Sequence, residues 1–147
     1  MNDIPDLTID GLLPEGVHAC TMTEVQDRFG KFQRSERRIK LTNALGQYLA
    51  ALRATGFVRR VIVDGSYVSS KEEPGDIDLI VVLDAACDFA SEVRPADYNA
   101  VSRRQVRRRY GFDVMVVPED SEALAEKFSF FQQDRGGRRK GLLEVQP

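Results

Sequence analysis

The chain has 147 residues, 42% apolar and 30% charged, the size and make-up of one ordinary globular domain, which excludes global disorder. No apolar run approaches the roughly 20 residues of a membrane span, and the acidic opening MNDIPDLTID lacks the basic and apolar regions of a secretory signal. A formal net charge of −2 excludes a protein that holds nucleic acid by bulk attraction, and two cysteines without metal-type spacing, Cys20 and Cys87, point to a reduced, cytoplasmic setting.

Residues 1–34 read as an irregular extension packed on the core, punctuated by Pro5, Gly11, Pro14, Gly16 and Gly30. One short helix is expected there, with Thr23 and Gln26 as a capping box and Gly30 as its stop. Residues 35–147 read as a single domain. Ser35 to Thr55 is the clearest helix: Ser35 suits the N-cap, Leu41, Leu45, Tyr48, Leu49 and Leu52 share one face, and Gly56 suits the stop. Phe57 to Asp64 predicts a strand, rich in β-branched residues. Gly65 and Ser66 break it, and a polar loop runs to Pro74 and Gly75. Asp76 to Leu83 predicts a second strand, apolar at every position of its second half and so expected inside the sheet. Pro95 to Tyr110 predicts one helix with a thin stripe of Tyr98, Val101 and Val106. Phe112 to Val117 predicts a third strand, and Ser121 to Gln133 a helix presenting Leu124, Phe128 and Phe131. A glycine-basic turn follows, and Leu142 to Val145 predicts a short strand. This order implies an α/β (α+β) domain with a small mixed β-sheet and helices packed on it.

The informative stretch is Asp64 to Leu83, DGSYVSSKEEPGDIDLIVVL. Asp76 and Asp78 are two apart on a strand, so they share one face and repel unless cations neutralise them. Mg²⁺ is held by one or two carboxylates together with substrate phosphates, which suits chemistry on a triphosphate. Gly65 lets a phosphate approach the backbone, where N–H groups and the Ser66 hydroxyl hold its oxygens, and Lys71 and nearby arginines neutralise more of its charge. Asp113, inside the apolar run FDVMVV, is costly if buried alone; pairing that strand beside Asp76 and Asp78 would bring three acids to one site.

These residues carry a resemblance. Gly65-Ser66, nine residues, Asp76-Ile77-Asp78 and then Asp113 on a later strand are similar to the signature of the DNA polymerase beta-like nucleotidyltransferase superfamily. The chain most resembles its short bacterial, minimal nucleotidyltransferase-like members, in particular a branch with a GLLPEG leader, here Gly11 to Gly16; Arg135 to Val145 also looks like that branch. The resemblance implies the nucleotidyltransferase fold. It implies that Asp76, Asp78 and Asp113 are catalytic and hold Mg²⁺ (or Mn²⁺), with Asp113 also acting as base, and that Gly65 and Ser66 hold the nucleotide's phosphates. The expected reaction moves a nucleoside monophosphate from ATP or another nucleoside triphosphate to a hydroxyl on RNA, protein or a small molecule. Short relatives also include non-catalytic partners, so an antitoxin bound to a toxin, or a phage-defence component, is the alternative.

Several residues keep two readings. Arg135, Arg138, Arg139 and Lys140 are either a basic turn that folds over a triphosphate or a solvated tail. The five arginines between Arg103 and Arg109 either face a phosphate-bearing ligand or form a solvated helix face. Asp64 reads as a strand-end residue, His18 as structural, and Phe128, Phe130 and Phe131 as core, with a base-stacking platform as the other use.

Overall fold

The computed structural model describes residues 4–30, 35–72, 74–75, 77–87, 94–133 and 136–147. In chain order the elements are β1 (Val17–Cys20), α1 (Met22–Val25), α2 (Glu36–Thr55), β2 (Val58–Asp64), β3 (Asp78–Leu83), α3 (Pro95–Val101), α4 (Arg103–Tyr110), β4 (Asp113–Pro118), α5 (Glu122–Phe131) and β5 (Leu142–Val145). The strands form one five-stranded mixed sheet in the order β1-β5-β2-β3-β4, so the α/β class expected from the element order is present. β2 runs antiparallel to both neighbours, β3 and β5, while β3–β4 and β5–β1 are parallel. No helix among the described residues is long and apolar enough to cross a membrane.

Two layers of side chains cover the sheet. On one face α2 lays Leu41, Leu45, Tyr48, Leu49 and Leu52 against Val61, Val63, Leu79, Val81 and Val114. On the other, Leu124 and Phe131 of α5 pack on Ile62, Ile80, Val82 and Val117. β3 therefore alternates between two buried faces, which is why its sequence is apolar throughout. The α2 boundaries are those its sequence dictates. Ser35 Oγ accepts the Arg38 N–H at 3.2 Å, and Gly56 closes the helix at φ +77°.

Three expectations are corrected. The segment before residue 35 contains β1, an edge strand of the sheet; its four residues gain strand character from pairing with β5, not from their own pattern. The capping box lies two residues earlier than expected: Thr21 Oγ accepts from Glu24 N–H, and a Glu24 carboxylate oxygen accepts from Thr21 N–H. A carboxylate is the stronger acceptor, so Thr21–Glu24 prevails over Thr23–Gln26. Gln26–Gly30 then continues as a five-residue π turn. The expected helix from Pro95 to Tyr110 is two helices, because Ser102 turns extended (φ −81°, ψ 117°) and its hydroxyl caps α4 through Gln105 N–H. Of the stripe predicted for it, Val106 is buried and Tyr98 is exposed.

Candidate functional site

Strand register places three carboxylates in a row. Asp64 at the end of β2 lies opposite Asp78 at the start of β3, and Asp78 lies beside Asp113 at the start of β4. Paired residues on adjacent strands project to the same face, with backbones about 5 Å apart. That face carries Ile62, Ile80, Val82 and Val117, so all three acids sit at one end of the α5 side of the sheet. Burial falls along the row: Asp64 is buried, Asp78 is half-buried and Asp113 is exposed.

Protein cations stand at both ends of the row. Lys140 Nζ donates to both Asp64 carboxylate oxygens, at 2.8 and 2.9 Å, in a pair whose side chains are largely buried. Arg107 on α4 donates to Asp113 Oδ1. Asp78 lies between the two pairs. Asp76, the first acid of the expected set, lies outside the described residues, as does Arg135.

The turn after β2 is shaped by its glycine. Gly65 has φ +94°, a conformation that a side chain disfavours, and its carbonyl accepts the Val68 N–H at 3.1 Å. Ser66 Oγ accepts from Gly75 N–H at 3.0 Å, drawing the end of the loop back onto its beginning. The first turn of α2 fastens the same loop. Arg37 donates to the Pro74 and Gly75 carbonyls. Arg38 is fully buried and donates to the carbonyls of Phe29, Tyr67, Ser69 and Lys71 over 2.5–3.3 Å. Its guanidinium lies 5.3 Å from the Tyr67 ring centroid and 5.8 Å from that of Phe29. Burial holds its pKa below the ordinary value, with Tyr67 opposing the shift. Burial likewise pushes the Tyr67 phenol up to about 12, while its hydrogen bond with Thr42 and the nearby Arg38 charge pull it down.

These elements surround a cleft of about 1040 Å³. Gly65, Ser66, Lys71, Asp78 and Lys140 all line it, together with Asp64, Ser69, Phe130 and Arg138. Asp113 stands one strand away, at the exposed end of the row. Phe130, expected in the core, is 74% exposed and projects at the cleft, whereas Phe131 is buried and Phe128 lies under the Arg60 guanidinium. An i, i+1 pair on a helix cannot face the same way, so burying Phe131 turns Phe130 outward. In the basic turn Arg138 pairs with Asp10 and Arg139 with Glu15. His18 Nε2 is 2.8 Å from the Pro14 carbonyl, in keeping with a structural role.

Asp64, Arg37 and Arg38 are the residues whose part the sequence reading missed. Arg38 had a usable signal: it falls on the buried stripe of α2, three residues before Leu41. Among the described residues no three His, Cys, Asp or Glu side chains form a group that could hold a metal ion. Asp78 and Asp113 alone offer two hard carboxylates on adjacent strands. That donor set suits Mg²⁺ when phosphates complete its shell.

The fold and site define a mixed-sheet α/β protein with a carboxylate row at the rim of a cleft. Over residues 5–146 the chain matches a family of unknown function (DUF6932), and it belongs to that family. Neither the curated proteins nor the solved structures contain a match.

Proposed function

We propose that the protein is a metal-dependent nucleotidyltransferase, moving a nucleoside monophosphate from ATP or another nucleoside triphosphate to a hydroxyl. The observation that carries this reading is the register of Asp78 beside Asp113, next to the Gly65-Ser66 turn of the adjoining strand. It accords with the nucleotidyltransferase fold that the sequence motif implies. The cleft is large enough for a nucleotide, since small-molecule sites span roughly 300–1,000 Å³.

In this reading Asp78 and Asp113, with Asp76, hold Mg²⁺ or Mn²⁺. Bound there, the metal supplies positive charge to the triphosphate as charge builds on its oxygens. The chain's own groups do the rest. Gly65 and Ser66 receive phosphate oxygens at a turn that Arg37 and Arg38 hold rigid, which fixes the α-phosphorus against the carboxylates. Lys71 adds a positive charge at the same wall. The acceptor hydroxyl bonds to the α-phosphorus as the bridging bond to the β-phosphate breaks, releasing pyrophosphate. Its proton passes to Asp113, whose exposure lets an acceptor reach it. Phe130 offers the nucleobase a flat apolar surface.

One observation favours a second reading, a non-catalytic nucleotidyltransferase-like binding partner, such as the antitoxin of a pair or a phage-defence component. Of the proposed metal ligands Asp113 already carries a protein cation, Arg107, and Asp64, paired with Asp78 across the strands, carries Lys140. The deciding experiment incubates the protein with α-labelled triphosphates, Mn²⁺ and cell extract. Label should move to an acceptor, and Asp78→Asn and Asp113→Asn should each lower transfer about 100-fold or more. Nucleotide binding without transfer selects the second reading. Absence of both removes the first.

A further inference from the structure

A dense cluster of positive charge lies outside the cleft. α4 carries Arg103, Arg104, Arg107, Arg108 and Arg109, all exposed, and no acid. At 3.6 residues per turn the first four fall within an arc of about 140° that excludes the buried Val106. They stand as two i, i+4 pairs, Arg103 with Arg107 and Arg104 with Arg108, an arrangement in which like charges destabilise a helix. Arg103 and Arg104 also occupy the first turn, where the helix dipole disfavours cations, while Arg107, Arg108 and Arg109 lie in the last turn, where it favours them. Among the described residues Arg103, Arg104 and Arg108 make no ion pair. Arg107 joins this face to the carboxylate row through Asp113. A protein of net charge −2 thus concentrates guanidinium groups on one helix, beside the proposed acceptor end of its site.

We infer that the α4 arginine face binds single-stranded RNA and presents its hydroxyls to Asp113. The inference rests on the proposed transfer site and names the acceptor class. An RNA strand supplies a regular series of phosphates, which guanidinium groups bind through paired N–H donors, and a hydroxyl beside each phosphate. An acidic peptide offers charge without that hydroxyl at every position.

The test measures anisotropy of a labelled 20-nucleotide single-stranded RNA with the full chain over a range of salt concentrations. The comparison is an Arg104→Gln/Arg108→Gln variant, which leaves Arg107 on Asp113. Wild-type binding should weaken steeply with salt. The variant should bind about 10-fold more weakly, with a log–log salt slope smaller by about 1.4, the share of two phosphate contacts on a single strand. Its melting temperature should stay within about 2 °C of wild type, because relieved repulsion offsets the lost dipole interaction of Arg108, which also shows that it folds. Binding that ignores salt, equal affinity of variant and wild type, or equally tight binding of poly-glutamate of the same length overturns the inference. Binding of ATP with Mn²⁺, measured on both proteins, separates the two ideas. RNA bound as described with no ATP bound upholds the surface and removes the transfer reading; ATP bound without RNA does the reverse.

Discussion

Arg38 is a cation placed where a hydrocarbon would be expected, and it is stable there because four backbone carbonyls answer it. Arg38→Met keeps much of the volume but leaves those carbonyls without their donor. The variant should lose on the order of 3–4 kcal/mol, read as a fall in melting temperature of roughly 10 °C. Tyr67, against the same guanidinium, makes stability depend on alkaline pH. Its folded-state pKa of about 12 lies above the ordinary 10, so the folded protein holds the phenolic proton more tightly than the unfolded chain. That contribution is complete below pH 10 and is lost as pH rises from 10 through about 12. Burial shifts Tyr48 in the same direction. Urea midpoints at pH 9, 10 and 11 should fall in order, and Tyr67→Phe should flatten part of the fall, by on the order of 1 kcal/mol over that range. At the cleft, Phe130→Ala should weaken nucleotide binding about 10-fold, the share of one stacked base, and leave tripolyphosphate binding unchanged. Isothermal titration with both ligands checks it.

At the scale of elements, α2 is both core and clamp. One face fills the hydrophobic layer, and its first turn fastens the loop between β2 and β3 at Lys71, Pro74 and Gly75. Loosening the start of this helix should therefore be felt in the loop. Ser35→Ala should cost about 1 kcal/mol, and amide exchange around Val68 to Lys71 should quicken with it. The helix itself was legible, since cap, stripe and stop all agree in one sequence window. The split at Ser102 was not. A serine inside a helical pattern reads as neutral until its hydroxyl is seen to capture Gln105 N–H, a choice made by packing α3 and α4 separately against α2.

At the scale of the molecule, the acids illustrate how far periodicity reaches. Two-residue alternation and apolar flanks single out Asp78 and Asp113, because a charge between buried neighbours is conspicuous. Their juxtaposition depends on which strands pair and in what register, which one strand's sequence does not carry. Asp64 shows the limit. Its flanks read as a strand end, and the lysine that pairs with it in its buried place lies 76 positions later. Lys140→Met should strand that carboxylate and destabilise the protein by roughly 3 kcal/mol; adding Asp64→Asn should recover part of the loss, as a double-mutant cycle by chemical denaturation would show. β5, close behind Lys140, occupies an interior position between β1 and β2, although its residues follow those of the other four strands of this sheet. β1 accordingly waits for its partner β5 until synthesis has passed Val145. A growing chain cannot complete this sheet vectorially, and a copy that stops before Leu142 would leave β1 and β2 with raw edges.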